Sequence, residues 1–303
     1  MKTVLITGGA GSLGTELTKL YLTKGYKVRV FSRDEYKHWK LKQELGSGQL
    51  KKVRFLIGDI RDKDRLTRAC EGIDLVIHAG ALKQIESGEY NPQEVVKTNV
   101  VGTSNVIDAC IDNNVKRCAF ISSDKAVNPS NLYGASKYMG EKLWIDANNI
   151  KGDRDMVFFA FRFGNLRGSA GSVWELFEKQ KEKNTFTITD RYMTRFNYSL
   201  KEASEFIFRF CENPQPYIFV PKMKWFWIQH LPYLFSKHPK IKYIGLRKGE
   251  KLYEELCSDL ELVKTYKDYY VIGKGTSGKN IRSGDIQKDL ISQGLVKKSL
   301  YIS

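Results

Sequence analysis

The stretch Thr7-Gly-Gly-Ala-Gly-Ser-Leu-Gly14 constrains this chain more than any other. It follows the short apolar run Thr3–Thr7 and opens a segment in which Leu13, Leu17, Leu20 and Tyr21 fall at i, i+4, i+7 and i+8, the spacing of one helix face. The glycines Gly9, Gly11 and Gly14 therefore sit in a strand-to-helix turn, the context that makes an otherwise weak spacing specific. Without a Cβ the turn can be tight and an anion can lie against the backbone. The helix N-terminus then offers free amides and a favourable dipole. We expect Gly8, Gly9, Gly11, Ser12, Leu13 and Gly14 to hold the pyrophosphate of a dinucleotide.

Past the turn, short β-branched or apolar runs recur at Lys27–Phe31, Val53–Ile57, Leu75–His78, Cys118–Ser122 and Met156–Phe163, with amphipathic segments between them. Strands alternating with helices predict a parallel sheet covered on both faces. After about residue 165 the pattern loosens, with strand-like pieces at Phe186–Thr189, Tyr217–Val220 and Lys240–Ile244 and helices expected at Lys201–Cys211 and Lys251–Cys257. The expected class is α/β: a Rossmann-type doubly wound parallel sheet over residues 1–165, and a smaller C-terminal substrate-binding lobe over 166–303, interleaved with the sheet. Gly273–Gly284 is expected to be a mobile loop. The aromatic run Trp225–Phe235 is read as core of the smaller lobe, with a subunit or partner surface as the alternative.

A total of 50 Lys and Arg against 34 Asp and Glu gives a net charge of +16. The basic residues are scattered rather than gathered in a stripe or tail, which argues against a nucleic-acid binder. Such a surface still concentrates anionic ligands. Cys70, Cys110, Cys118, Cys211 and Cys257 show no Cys-x-x-Cys or zinc-like spacing. They read as buried thiols, and no cluster calls for a metal. No charged leader precedes Thr3 and no stretch is long enough to span a bilayer, so a soluble, cytoplasmic protein is expected.

Where a dinucleotide fold usually carries an acidic residue for the ribose, this chain reads Ser32-Arg33-Asp34. Ser32 and Arg33 suit a 2′-phosphate, which favours NADP over NAD; Asp34 stands close enough to keep NAD open. Asp59 and Ile60, after the third strand, are expected beside the adenine, with a helix N-cap as the other reading of Asp59. Ala79, Gly80, Ala81 and Lys83 close the fourth strand at the same sheet edge, and His78 reads as a buried, hydrogen-bonded histidine. Tyr133 and Lys137 stand one helical turn apart, just after Ser123, Asp124 and Lys125. A phenol titrates near 10, and a neighbouring ammonium brings it toward the range of a useful base.

The glycine turn, the segment Lys97-Thr-Asn99-Val-Val-Gly-Thr103 and Tyr133-x-x-x-Lys137 resemble the extended short-chain dehydrogenase/reductase superfamily. Four blocks are similar, more narrowly, to the inverting, 5-epimerising UDP-N-acetylglucosamine 4,6-dehydratases. They are Ser122–Lys137, Arg162–Val173, Ile188–Phe196 and Gly249–Glu255. Ser123 stands where that family usually has Thr, and Gln84 where it usually has His.

The resemblance implies an NADP-dependent internal redox dehydration of a UDP-sugar by a homo-oligomer. In it Tyr133, supported by Lys137, takes the O4 proton. Asp124 suits the acid if its site keeps it protonated, and Lys125 suits the base if burial lowers its pKa. Ser123 is expected near O4 and Asn99 beside the cofactor. Lys83, Asn165, Arg195, Lys222 and Glu250 are expected at the sugar nucleotide. For Arg195 a surface ion pair is the other reading. The rivals are a UDP-sugar 4-epimerase, which needs no acid and base at C5 and C6, and a catalytically silent NADP-binding regulator, which would expect loss of Tyr133 or Lys137.

Overall fold

The computed structural model describes residues 1–274 and, as backbone alone, 276–277 and 281–282. Six parallel strands come first: β1 (Thr3–Thr7), β2 (Lys27–Ser32), β3 (Val53–Ile57), β4 (Leu75–His78), β5 (Arg117–Ser123) and β6 (Val157–Phe163). They lie in the order 3-2-1-4-5-6, so the chain reverses direction between β1 and β4. In open sheets of this kind that switch opens a crevice at the carboxyl ends of the strands.

These strands read as near-continuous apolar runs because helices cover both faces. Val4, Leu5 and Ile6 are fully buried, as are Phe158 to Phe161. Trp144, on the helix Leu132–Ile150, stacks on Phe120 and His78 and donates its indole N–H to the Cys118 carbonyl at 3.0 Å. His78 is buried and bonded as expected. The Thr7 hydroxyl lies 2.6 Å from Nδ1, and Nε2 lies 3.0 Å from Thr103 Oγ1, which itself donates to the Asn99 carbonyl. Burial pulls the His78 pKa down to about 3, so the ring is neutral.

The C-terminal half returns to this sheet. Strand β7 (Asn165–Arg167) pairs with β9 (Thr194–Ser199) in a small second sheet, and β8 (Thr185–Ile188) lies outside both. Then β10 (Ile218–Pro221) joins β6 in parallel. The strand β11 (Lys224–Trp227) pairs with β9, and β12 (Lys240–Tyr243) pairs with β8. A separate apolar cluster of Phe177, Phe186, Ile188, Met193, Ile228 and Leu231 supports this outer part. The aromatic run divides: Ile228, Leu231 and Phe235 pack into that cluster, Trp225 joins the main core, and Tyr233 and Leu234 are exposed.

The expected helix at Lys251–Cys257 is not formed. Residues 251–254 are irregular, and β13 (Glu255–Cys257) pairs with the backbone at 281–282. Four consecutive buried residues, Glu254 to Cys257, suit an extended chain covered on both sides rather than a one-sided helix. Strands β14 (Leu262–Thr265) and β15 (Tyr269–Ile272) then continue the main sheet antiparallel. Of the stretch expected to be mobile, Gly273 is anchored by its amide to the Leu262 carbonyl, 276–277 pair with β14 and 281–282 with β13; residues 275, 278–280, 283 and 284 lie outside the described residues.

Candidate active site

A cleft of about 1290 Å³ runs along the carboxyl ends of the strands, from β2 past β1 and β4 to β5 and the C-terminal half. At its first end the helix α1 (Ser12–Thr23) begins at Gly11 with no side chain capping its amides, leaving them for a ligand. Gly8 has φ +65°, and a Cβ on it would come within 2.9 Å of Gly80. A Cβ on Gly14 would fall 2.3 Å from the Gly8 carbonyl. Gly8, Gly11, Ser12, Leu13 and Gly14 line the cleft. Gly9 does not: it faces the sheet, where a Cβ would meet the Ile6 carbonyl at 2.7 Å.

Ser32, Arg33, Asp59, Ile60, Ala79, Gly80, Ala81 and Lys83 also line it. The Ser32 hydroxyl is held 2.7 Å from His38 Nε2, and Arg33 lies 3.7 Å from Asp59. Asp34 caps the helix α2 (Glu35–Glu44) through the Lys37 amide at 3.0 Å and pairs with the Lys37 ammonium. Asp59 is not a helix cap. It accepts the Arg61 amide and guanidinium at 2.9 Å, while Asp62 caps the following helix through the Arg65 amide. Sequence reasoning missed Lys37 and Lys40, which line the cleft with Leu41 and Glu44. Their i, i+3, i+4, i+7 spacing on α2 was the available signal.

At the other end the helix Leu132–Ile150 is capped by Asn131, whose side chain accepts the Gly134 amide at 2.8 Å. This aims Tyr133 and Lys137 into the cleft. Lys137 is 5% exposed, donates to the Ile121 carbonyl at 2.5 Å and lies 4.0 Å above the Phe120 ring. Burial lowers its pKa to about 7, with Glu141 opposing. Burial raises the Tyr133 pKa, countered by the Lys125 charge and a hydrogen bond with Ser123.

Lys125 lines the cleft too. Its Nζ lies 3.2 Å from Asp124 Oδ1, 3.3 Å from Asn165 Oδ1 and 3.3 Å from Glu254 Oε1. Burial alone would depress its pKa, but Asp124 and Glu254 outweigh that and hold it above the ordinary lysine value. The condition attached to a Lys125 base, a lowered pKa, is therefore not met in this state. Asp124 is fully buried and does not line the cleft. Its Oδ1 accepts from Ser123 at 2.8 Å, its Oδ2 has no hydrogen-bond partner, and burial raises its pKa, which favours the neutral acid.

Three residues expected at a ligand do not line the cleft. Asn99 is buried, its amide bonded to both the N–H and C=O of Leu82 and to Ser136, so it ties the loop after β4 to the Tyr133 helix rather than lining the cleft. Arg195 is neither a surface ion pair nor a free clamp. It is 7% exposed, donates to the carbonyls of Thr194 and Leu252, and stands 3.7 Å from Glu254. Lys222 is exposed outside the cleft with its ammonium over the Tyr270 ring. Asn165 and Glu250 do line the cleft, and so do Arg247 and Lys248, which nothing in their local pattern had marked.

Residues 168–172 cross above the cleft. The Ala170 amide donates to Ser12 Oγ at 3.0 Å, and its carbonyl takes the Lys83 ammonium at 2.6 Å. A Cβ on Gly171 would collide with the Gln84 amide at 2.1 Å. This strap joins the glycine turn to the loop after β4.

Comparison with known proteins agrees with this architecture. The family model described as polysaccharide biosynthesis protein matches residues 4–274. A relative from Campylobacter jejuni named UDP-N-acetylglucosamine 4,6-dehydratase (inverting) is 42% identical over 278 residues, 89% of this chain and 82% of its own. A Rickettsia rickettsii protein named UDP-glucose 4-epimerase is 39% identical over 284 residues, with the same two coverages. The X-ray structure of Pen from Bacillus thuringiensis superposes with a TM-score of 0.89 at 37% identity, over 98% of each chain. With the glycine turn, the Tyr133–Lys137 pair and this sheet in place, the chain belongs to the polysaccharide biosynthesis protein family, within the extended short-chain dehydrogenases/reductases.

Proposed function

We propose that this nucleotide-sugar dehydratase removes water across C5 and C6 of a UDP-N-acetylhexosamine, UDP-N-acetylglucosamine first among them. The reaction uses NADP, inverts C5 and yields a UDP-2-acetamido-2,6-dideoxy-hexos-4-ulose for glycan biosynthesis. The observation that carries the reading is the meeting, in one cleft, of Tyr133 and Lys137 with Lys125 and the neutral-leaning Asp124 behind it. An epimerase has no use for the second pair.

The glycine cradle, which a Cβ would fill, and the uncapped amides of α1 fit a dinucleotide pyrophosphate. Ser32, Arg33, Lys37 and Lys40 supply a hydroxyl and cations for a 2′-phosphate, which favours NADP. A nicotinamide held there would supply the redox chemistry, accepting a hydride from the sugar C4 and giving it to C6 once the 6-hydroxyl has left as water. Tyr133 removes the O4 proton, with the Lys125 cation and the Ser123 hydrogen bond favouring the phenolate. The 4-ketone acidifies the C5 proton, which would otherwise be far too weakly acidic to remove. Lys125, as the side chain that reaches the cleft, exchanges protons with the C5–C6 unit. Asp124 reaches the sugar only through Ser123 or Lys125, to which its Oδ1 is bonded. Return of a proton to the opposite face of C5 inverts that centre. Arg247, Lys248 and Glu250, which line the same cleft, are taken to meet the UDP end, with Asn165 bonded to Lys125 beside the sugar. The protein is taken to act in the cytoplasm as a homo-oligomer.

The test is proton NMR with UDP-N-acetylglucosamine in D₂O and no added reductant. A new 6-methyl signal with deuterium at C5 supports the reading, and the ring couplings report inversion. A 4-epimer without a methyl signal would support the epimerase, the reading that the Rickettsia relative favours.

A further inference from the structure

The buried carboxylate Glu254 has no part in the steps above, yet it touches the side chain on which they turn. It lies in the irregular segment before β13, is 3% exposed, and places Oε1 3.3 Å from Lys125 Nζ and 3.7 Å from Arg195 Nε. An ammonium has three hydrogens, and three oxygens surround this one: Asp124 at 3.2 Å, Asn165 at 3.3 Å and Glu254 at 3.3 Å. A side chain held by three acceptors is fixed in position and fixed as a donor. Two of the acceptors come from the C-terminal half.

We propose that Glu254 is the positioning residue for Lys125, holding its ammonium at the cleft wall and setting the pH at which it turns from proton donor to base. Arg195 is the counterpart. Its guanidinium is anchored on the Thr194 and Leu252 carbonyls, so it cannot swing away, and it keeps Glu254 ionised beside Lys125. Burial pushes the Glu254 pKa up, but Lys125, Arg195 and Lys251 together bring it below the usual carboxylate value.

The charged and titratable groups facing Lys125 are the Asp124 and Glu254 carboxylates, which favour its cation, the Arg195 and Lys83 cations, which disfavour it, and the Tyr133 phenol. Removing the Glu254 charge must therefore lower the Lys125 pKa. Asp124, relieved of a like charge, would ionise more readily and restore part of the loss. Glu255 is the natural control, because it bonds Asn128 and lies 3.9 Å from Lys251 instead.

Lys125 lines the cleft with its side chain 18% exposed, so a small reagent can reach it. The experiment is competitive acetylation of the full chain with acetic anhydride at fixed pH values between 7 and 10, below the Lys125 midpoint, reading the rate of modification at Lys125 against a free amine by mass spectrometry, from which the shift in midpoint follows. In Glu254→Gln the Lys125 midpoint should fall by about one pH unit or more, roughly a tenfold gain in reactivity at a fixed lower pH. In Glu255→Gln it should stay put. An unchanged midpoint in a folded Glu254→Gln protein overturns the proposal. If that variant does not fold, Glu254→Asp replaces it: drawing the charge back should lower the midpoint by less, and no change again overturns it. A second arm follows methyl formation against pH, where the limb assigned to Lys125 should move down by the same amount. This arm alone rests on the dehydratase reading. Absence of turnover in the wild type would count against that reading, while the labelling still decides the role of Glu254.

Discussion

The two ends of the cleft are made of different material. The end proposed for the dinucleotide is built largely on backbone: a glycine turn, uncapped helix amides and the small residues Ala79, Gly80 and Ala81, all at strand ends. The acid–base end is side chain, and its members come from far apart. Asp124 and Lys125 follow β5, Tyr133 and Lys137 stand on the next helix, Asn165 opens β7, and Arg195 and Glu254 come from the C-terminal half. A backbone site is specified by what must be absent, a Cβ or a cap. A side-chain site is specified by charges that must balance one another in the dark of the interior.

The sharpest test of the contrast is Tyr133→Phe. It should lower turnover by about 10³-fold while leaving dinucleotide affinity unchanged, measured by NMR turnover and fluorescence titration. Loss of affinity as well would mean that the ends are not separable. Gly14→Ala should do the opposite. Its Cβ would fall 2.3 Å from the Gly8 carbonyl, so we predict roughly 100-fold weaker dinucleotide binding and about 1–3 kcal/mol of lost stability in urea.

Lys137 belongs to the acid–base end, and its burial has a readable sign. Its folded pKa of about 7 lies below the ordinary value of 10.5, so between those limits the unfolded chain holds a proton that the folded one lacks. Its contribution to stability should therefore rise with pH from about 7 to 10.5 and level off outside that window. The difference in unfolding free energy between wild type and Lys137→Met should show that rise; a flat difference would mean that the lysine is neither buried nor depressed. Arg33→Ala should cost about tenfold in the NADP-to-NAD affinity ratio, by titration with each. Lys222→Ala, outside the cleft, should change turnover by less than about twofold.

Most of the first end was legible in the sequence because its determinants are local. The Gly9-x-Gly11-x-x-Gly14 spacing, the apolar β1 and the Ser32-Arg33 pair declare themselves within a few residues. Gly9 shows the limit of even this reading, since its lack of a Cβ serves close packing on the sheet and it does not line the cleft. At the second end the sequence marked Asp124, Lys125, Tyr133 and Lys137 through one compact block. It could not say that Asp124 turns inward, or that Arg195 is buried beside Glu254 and does not line the cleft. Those outcomes depend on long-range packing between β5, β9 and the segment before β13. The expected helix at Lys251–Cys257 failed for the same reason, because burial on both sides overrode local helix propensity.

The strap at residues 168–172 bears on how the protein meets its cofactor over time. Anchored at Ser12 on one bank and Lys83 on the other, it spans the groove proposed for the dinucleotide and leaves the far end of the cleft free of those bonds. A reaction that gives back the hydride it borrows consumes no reducing equivalents, so nothing obliges the dinucleotide to leave between turnovers. Under the proposed reaction the strap would hold it in place between turnovers. The molecule would then behave kinetically as a one-substrate catalyst carrying its own reagent, and the protein as purified should hold nicotinamide dinucleotide through gel filtration.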